Sequence, residues 1–446
     1  MQIELKAERG TESLYGATAK LRDFYERMPY PAPLTSLDEH RELYRNSGRR
    51  RALFHLIWPA RRPCPNQEIL IAGCGTSQAA RYALREPDAR ITAIDISKTS
   101  LTHTLQLQEK YQIGNLILRQ LSLLDVQELG QTFDYIICTG VLHHLADPDA
   151  GLRALRSVLK KDGAMQIMVY GSYGRAGIYM MREYCRLLEI TPSSQELQAL
   201  GMALECLPQG HPLSQLRGKA ADFNDPHALA DAFLHPQDQA FSVPQVYQWL
   251  DRCGMRFARW MEQAPYLPQC GALARTPHAA RLSELAERSQ HAAAELFRGT
   301  ITQHSFIAYR DDEPAESQPV CFTGEEWRNY IPIRLPSTVC VRDRLPPGSA
   351  AVLLNRAHRH SDLVLAINAA QYRLLMEIDG KRTLGELVRS TGKYGGRTLE
   401  FMQKLWQYDQ IVFDASQATA IGEEDAQRDW NSSFPPTGQK QSARVK

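Results

Sequence analysis

The sequence feature that most constrains the fold is a glycine turn set between an apolar run and a helical segment. Residues 68–72 read Glu-Ile-Leu-Ile-Ala, which predicts a buried strand, and Gly73-Cys74-Gly75 follows directly. A sharp turn from strand to helix requires glycine, which also lets a ligand approach bare backbone. Twenty residues after Gly75, Asp95 ends the next predicted strand, where a carboxylate can accept both hydroxyls of a ribose. The pattern predicts a nucleoside site, and an ordinary turn with a capping aspartate is the alternative.

Short apolar runs alternate with amphipathic segments from residue 66 to residue 170, which is typical of a parallel sheet with helices between its strands. Ligands of open α/β sheets bind beyond the carboxyl ends of the strands, so the residues that follow each strand are the candidate site. The predicted strands are 68–72, 90–94, 115–119, 133–138 and 164–169.

The glycine turn lacks the third glycine of a dinucleotide-binding loop. Such a loop reads Gly-x-Gly-x-x-Gly, and its last glycine lets the helix pack closely beneath a pyrophosphate. Gln78 stands at that position. A cofactor that carries adenosine without phosphate does not need that glycine. S-adenosylmethionine is such a cofactor, and the missing glycine argues against a nicotinamide- or flavin-dependent oxidoreductase, which is the disfavoured alternative.

The ordered motifs of this region resemble those of class I S-adenosylmethionine-dependent methyltransferases. The similar segments are 68–76 (first motif), Asp95 (ribose-binding acid), 123–125 (adenine side), 133–148 (fourth strand) and 155–163 (before the fifth strand). The resemblance implies an α/β fold with a Rossmann-like, seven-stranded sheet whose last strand is antiparallel. Residues 255–260 and 303–309 are suitable late strands.

The resemblance also implies which residues hold S-adenosylmethionine, with Asp125 near adenine and Gly140 under the methionine part. Residues 24–31 resemble an element at the start of a subgroup of these enzymes, which would place Tyr30 over the cofactor; a plain N-terminal strap is the alternative. The full set of expected cofactor contacts is Tyr30, Gly73, Cys74, Gly75, Asp95, Ile96, Leu124, Asp125, Thr139 and Gly140.

Methyl transfer is an in-line displacement that needs alignment and exclusion of water, and a base only when the acceptor arrives protonated. His143 and His144 follow the fourth strand, and either is a candidate base or a packing and capping residue. Tyr170, Tyr173 and Arg175 follow the fifth strand. The tyrosines bind an acceptor or complete the core, and the arginine holds a carboxylate or phosphate or is an ordinary surface residue.

Residues 222–257 resemble an insertion of the same subgroup, which covers the active site as a lid. His235 and Asp238 keep its His-x-x-acid pattern, while Ala230 replaces the arginine of that pattern. The pair is either an oriented base pair or a hydrogen bond between lid and body, and the second interpretation is favoured.

Residues 364–414 predict a small winged-helix-like module, with an Asp-Gly turn, Thr383 as a helix N-cap and a β-hairpin edge. The module loosely resembles the peptide chaperone domain of pyrroloquinoline quinone biosynthesis. It would bind a peptide or protein by strand addition, dimerise, or support the catalytic domain. The expected divisions are a helical cap (1–65), the methyltransferase domain (66–310, lid about 171–250), a linker (311–319), the second domain (320–415) and a disordered tail (416–446).

Composition restricts partners and location. A formal net charge of +2 does not indicate a nucleic-acid or membrane surface, and no apolar run approaches the roughly 18–20 residues of a membrane helix. The first residues do not resemble a signal peptide, so a cytoplasmic location is expected. Nine cysteines without a Cys-x-x-Cys pair predict reduced thiols and no metal site.

The sequence therefore predicts a methyltransferase acting on an oxygen or nitrogen acceptor, with a peptide or protein held by the second domain slightly favoured. A small-molecule methyltransferase of natural products and a non-catalytic, cofactor-binding scaffold are the alternatives.

Overall fold

The computed structural model describes residues 16, 19–44, 47–217, 223, 225–312, 320–390 and 395–416. Most of the predicted linker, residues 313–319, and the predicted tail from residue 417 onward lie outside the described residues.

A seven-stranded sheet forms the centre of the first unit, and its strand order is β3-β2-β1-β4-β5-β7-β6. Strands β1 to β5 run parallel, whereas β7 is antiparallel to both β5 and β6. This confirms the predicted α/β fold. The strands are β1 Glu68–Ala72, β2 Arg90–Asp95, β3 Leu116–Gln120, β4 Phe133–Thr139, β5 Leu159–Tyr170, β6 Met255–Trp260 and β7 Gln303–Arg310.

The central strands are continuous apolar runs because both faces of the sheet are covered. One core cluster contains Leu70 and Ile136, and the opposite cluster contains Ile69 and Ile137. Strand β5 begins at Leu159, whereas the sequence predicted a start at Ala164. Residues 159–163 also belong to the strand, and its pairing with β4 has an irregular register between Phe133 and Tyr135.

Helices cover the two faces of this sheet. Residues 19–27 are helical (α1); the predicted cap over residues 1–65 stays a prediction, since residues 1–15 lie outside the described residues. The others are α2 Asp38–Tyr44, α3 Ser47–Ile57, α4 Gln78–Arg85, α5 Lys98–Tyr111, α6 Pro148–Ser157, α11 Val243–Arg252, α12 Ala279–Ser283 and α13 Glu287–Arg298. None of the helices in the described part of the chain is long and apolar enough to span a bilayer.

The segment between β5 and α11, here called the insertion, is where the sequence predicts a lid, which stays a prediction. Its elements are α7 Ala176–Leu187, α8 Ser194–Glu205, α9 Ser214–Arg217, α10 Pro226–Leu229 and a π-helical turn Ala230–Leu234. These elements have a core of their own, which includes Met181, Leu200 and Phe233. Phe24 and Met28, from the N-terminal segment, pack against that core. The insertion and the N-terminal segment are therefore one packed assembly.

The described residues of the C-terminal unit, 320–390 and 395–416, form three α-helices, a 3-10 turn at Glu326–Asn329 and two small antiparallel sheets. The elements are β8 Ile331–Arg334, β9 Thr338–Val341, β10 Ala351–Asn355, β11 Leu365–Ile367, α14 Ala369–Met376, α15 Leu384–Ser390, α16 Gly395–Gln407 and β12 Ile411–Asp414. Thr383 caps α15 as expected, since its hydroxyl accepts from the Glu386 amide at 3.3 Å. The predicted hairpin edge is wrong: β12 pairs with β8, which lies far before it in the sequence. The winged-helix resemblance stays a prediction.

The two units are joined by buried polar contacts. Arg51 of α3 donates to Asp414 at 2.9 Å, and the Ala415 amide donates to the Pro59 carbonyl at 2.7 Å. Arg259 of β6 pairs with the buried Asp409 at 3.1 Å. The C-terminal unit is thus packed on the first unit.

Candidate active site

The glycine turn after β1 has the backbone that its sequence predicts. Gly73 and Gly75 adopt φ angles of 71° and 56°, in the left-handed region that favours glycine. A Cβ atom on Gly73 would lie 2.3 Å from a methyl of Val141. The Cys74 side chain points into the core, and burial raises the pKa of its thiol, so Cys74 can contribute only backbone to a ligand.

Asp95 is the acid beside this turn. One carboxylate oxygen accepts from the Gly75 amide at 2.8 Å and the other from the Ser97 amide at 2.9 Å. An ionised carboxylate has about four lone-pair positions, so two remain for ribose hydroxyls. The side chain is half-buried, and desolvation raises its pKa.

Gln78 has a structural role at the position of the missing glycine. Its side-chain amide donates to the Thr139 hydroxyl at 2.7 Å, which links the start of α4 to the end of β4. A dinucleotide-type glycine could not make this bond. The hydrogen bond gives a physical reason for the departure from the dinucleotide pattern.

The remaining expected cofactor residues lie at the same edge of the sheet. Ile96, Leu124, Asp125 and Gly140 are partly exposed and follow β2, β3 or β4, which lie on either side of β1 in the strand order β3-β2-β1-β4. Gly140 adopts a φ of 78°, and a Cβ atom there would contact only the Met168 methyl at 3.6 Å. The edge therefore offers open backbone and a carboxylate acceptor, which fit an adenosine-containing cofactor without phosphate.

Residues 24–31, here called the strap, cross this edge. Glu26 accepts from the amides of Lys98 and Thr99 at 2.6 and 3.0 Å, at the start of α5. The Thr76 hydroxyl donates to the Pro31 carbonyl at 2.8 Å. A Cβ atom on Gly75 would lie 3.1 Å from the Tyr30 carbonyl oxygen. The strap thus lies against the glycine turn.

A cavity of about 380 Å³ opens beyond the end of β5. Tyr30 of the strap and Tyr170 of β5 line it, together with Tyr173 and Arg175, and so does Asp231 of the insertion. Further lining residues are Gly299, Thr300, Thr302 and Gln303, and Arg359 and His360 of the C-terminal unit. Five separate parts of the chain therefore meet at this cavity: the strap, the end of β5 with the residues after it, the insertion, the segment 299–303 and the C-terminal unit.

Asp231 is a site residue that the sequence interpretation missed. Its two carboxylate oxygens accept from the hydroxyls of Tyr25 and Tyr170, each at 3.1 Å. The carboxylate is buried, which raises its pKa, and the pKa values of both tyrosines are raised by burial and by its charge. The signal available in the sequence was an acid beside Ala230, inside the segment already interpreted as a lid.

The predicted catalytic histidines lie together, but they do not line the cavity. The rings of His143 and Tyr170 are 3.9 Å apart, as are those of His144 and His235. His144 Nδ1 donates to the Gln237 carbonyl at 3.0 Å. Burial lowers the pKa of His144 to about 4 and those of His143 and His235 further, so all three are neutral near pH 7.

Asp238 does not pair with His235 as the oriented-base hypothesis required. Its carboxylate lies 3.8 Å from His144 Nδ1 and 3.6 Å from both Arg175 and Arg182. His235 Nδ1 instead accepts from the Gln237 amide at 3.1 Å. In the folded chain His235 is therefore a hydrogen-bonded packing residue. Asp238 is the buried negative charge beside Arg175 and Arg182.

Two groups in this cluster bring possible metal-ligand atoms within 4.8 Å of one another. They are His143, His144 and Asp238, and His144, Asp231 and His235. The positive charge of Arg175 and Arg182 beside Asp238 opposes a cation in the first group. In the second, the hydrogen bond accepted by His235 Nδ1 places the ring proton on the nitrogen that would have to bind the metal.

Comparison with known families assigns the central part of the chain. Residues 70–165 match a family model described as a methyltransferase domain. The chain carries a class I methyltransferase domain. S-adenosylmethionine is the cofactor of this class, and the open edge at Gly73, Gly75, Asp95 and Gly140 fits it.

Two curated proteins extend the comparison with this methyltransferase domain. A protein of Synechococcus, described as uncharacterized, is 32% identical over 253 residues, which are 55% of this chain and 61% of that protein. A malonyl-[acyl-carrier protein] O-methyltransferase of Acetivibrio thermocellus is 29% identical over 122 residues, 27% of this chain and 41% of that enzyme. The chain spans about three fifths or less of the length of these relatives.

Solved structures share the fold over most of the chain. PKMT2 from Rickettsia typhi has a TM-score of 0.58 and 15% identity, covering 83% of this chain and 75% of that chain. Its complex with AdoHcy has a TM-score of 0.56 at the same identity. At this identity the likeness shows the fold alone. It reaches beyond the methyltransferase domain.

Proposed function

We propose that the protein transfers the methyl group of S-adenosylmethionine to an oxygen or nitrogen acceptor bound in the cavity beyond β5. The observation that carries the proposal is the arrangement of Gly75 and Asp95, in which bare backbone and a carboxylate acceptor stand side by side at the sheet edge. Bound there, the cofactor supplies a methyl group on a positively charged sulfur. The protein's own task is to align the acceptor and to exclude water.

Tyr30 supports the assignment of the cavity to the acceptor. The backbone of Tyr30 lies against the glycine turn, and Tyr30 also lines the cavity. The cofactor edge and the cavity are therefore neighbours. The cavity volume of about 380 Å³ is at the lower end of ordinary small-molecule sites. It suits a small acceptor group, whether this is free or carried on a larger molecule.

Asp231 is the proposed proton acceptor when the substrate arrives as a hydroxyl or an ammonium. It lines the cavity, and burial raises its pKa, which makes the carboxylate a stronger base. Tyr170 lies between this carboxylate and the histidine cluster. His143, His144 and His235 then act as positioning residues behind Tyr170.

The proposal is tested first by calorimetric titration with S-adenosylhomocysteine. We expect micromolar binding by the wild-type protein and a loss of at least tenfold in Asp95→Asn, because hydrogen bonds to a charged acceptor are worth about 1.5–3 kcal/mol. Asp88→Asn is the matched control, since Asp88 is exposed in the turn just before β2, the strand that ends at Asp95. Absence of binding by the wild type, or equal loss in both variants, would contradict the proposal.

A further inference from the structure

The C-terminal unit reaches the cavity through the loop between β10 and β11, residues 356–364. Arg359 and His360 of this loop are among the cavity-lining residues. The other lining residues belong to the strap, the insertion and the segments around β5 and β7. The loop is therefore the contribution of the C-terminal unit to a site otherwise built by the first unit.

Two anchors fix this loop on the first unit. At one end, the Asp362 carboxylate accepts from the Ala272 amide at 2.6 Å and from Arg298 at 3.1 Å. Arg298 ends α13 and directly precedes Gly299 and Thr300, which line the cavity. The loop is thus tied to a wall of the cavity itself.

The second anchor lies on the other side of Arg359. His358 Nε2 is 3.0 Å from a carboxylate oxygen of Asp409, and Arg259 of β6 pairs with the same carboxylate at 3.1 Å. Arg359 and His360 stand between these two anchors. Arg359 is itself exposed, but the part-buried contacts of His358 and Asp362 on either side hold the loop in place, which distinguishes it from a free surface loop.

The charge of the cavity wall is unbalanced. Arg175 is only 7% exposed, and two of its side-chain nitrogens, Nε and one Nη, have no hydrogen-bond partner. The nearest carboxylate, Asp238, is 3.6 Å away. Asp231 is the only carboxylate among the described lining residues, and both of its oxygens already accept from tyrosines. Asp238 supplies a counter-charge, which it shares with Arg182, but it does not satisfy these two buried nitrogens. Leaving buried donors without an acceptor is costly, so a ligand that supplies the acceptor is favoured.

We propose that the cavity takes an acceptor molecule that carries a carboxylate or phosphate group, held jointly by Arg175 of the methyltransferase domain and Arg359 of the C-terminal unit. Guanidinium groups recognise both anions through paired hydrogen bonds. The C-terminal unit then takes part in acceptor recognition through residues 356–364. This inference rests on the proposed function for the identity of the ligand as a methyl acceptor, but its anion site stands on the geometry alone.

The test is a calorimetric titration of full-length protein saturated with S-adenosylhomocysteine. Inorganic phosphate and succinate are the two probes, each titrated at constant ionic strength set with chloride. We expect one of them to bind, and the stronger probe identifies the anion as phosphate or carboxylate. Arg359→Gln is expected to weaken that binding about tenfold, the usual effect of losing a charge-assisted hydrogen bond.

Arg356→Gln is the matched control, because Arg356 is exposed on the same loop but does not line the cavity. Arg175→Lys keeps the charge and removes the paired geometry, so it should also weaken binding while the circular dichroism spectrum stays unchanged. The inference is overturned if neither probe binds, or if Arg356→Gln and Arg359→Gln weaken binding equally. Failure of S-adenosylhomocysteine to bind, with an intact anion titration, would instead overturn the proposed function.

Discussion

The cofactor edge and the acceptor cavity are neighbours, but they are built in different ways. At the cofactor edge, Gly73, Gly75 and Asp95 lie within a short stretch of chain and act largely through backbone geometry. At the cavity, side chains from the strap, β5, the insertion and the C-terminal loop meet across long sequence separations. A local backbone motif tolerates little change, whereas a site of converging side chains can vary while the fold is kept.

The largest effect is expected at the glycine turn. Gly73→Val places a branched side chain at a φ of 71°. Its Cβ atom would lie 2.3 Å from a methyl of Val141, so that one of the two side chains or the backbone must move. The free energy of unfolding should fall by about 4 kcal/mol, from backbone strain and overpacking together. Urea unfolding measures this. Gly114→Ala is the control, because Gly114 has no neighbour within 4 Å, and an equal loss there would show that the turn is not special.

The next effect is a pH dependence of the free energy of unfolding, which arises from the buried histidines next to Tyr170. The unfolded chain protonates His144 near its ordinary pKa of 6.5, whereas the folded protein does so only near pH 4. Between these values the unfolded state binds more protons, so stability falls as the pH falls, by about 3 kcal/mol at pH 4 for this residue. His143 and His235 act in the same direction.

Urea unfolding between pH 7 and pH 4.5 checks this expectation. The slope of stability with pH should be smaller in His144→Gln than in the wild type. His278→Gln, at an exposed position, should keep the wild-type slope. An unchanged slope in His144→Gln would show that the buried cluster does not govern acid stability.

Asp231→Ala tests whether the two regions are separable. It leaves the buried hydroxyls of Tyr25 and Tyr170 without their acceptor, which should cost about 2 kcal/mol of unfolding free energy. Asp231→Asn keeps an acceptor oxygen and should lose less. The dissociation constant for S-adenosylhomocysteine should change little in either variant. A loss as large as that of Asp95→Asn would mean that cofactor edge and cavity form a single unit.

The smallest effect concerns the hydrogen bond between Gln78 and Thr139. Gln78→Ala removes one bond between neutral groups and should cost about 1 kcal/mol of unfolding free energy, with a modest change in cofactor affinity. Thr139→Val should reproduce the loss, and the double variant should not be additive. Additive losses would show that the two side chains act independently.

The parts of the structure that could be predicted are those governed by local rules. Short-range patterns gave the positions of the first five strands along the chain and placed Asp95 at a strand end. They also gave the turn at Gly73 and Gly75 and the cap at Thr383. The pairing of β12 with β8 did not follow, because strand partners distant in sequence are chosen by tertiary packing.

The catalytic side shows the same limit. The sequence indicated His235 and Asp238 as a pair, but a spacing of three residues does not fix which atoms meet. In the folded chain Asp238 lies near His144 and two arginines rather than near His235. Asp231 accepts hydrogen bonds from Tyr25 and Tyr170. Only the folded chain shows that the histidines lie behind Tyr170.

The sequence alone determined the first five strands and the glycine turn, because backbone conformation and apolar periodicity act over a few residues. The seven-stranded sheet and the type of cofactor followed from the resemblance of its ordered motifs to a known family. Tertiary structure decided which side chains face the acceptor, because Tyr30, Tyr170, Asp231 and Arg359 line one cavity only after separate segments pack together. Burial then raises the pKa values of Tyr170 and Asp231, and no sequence pattern encodes burial of that kind directly.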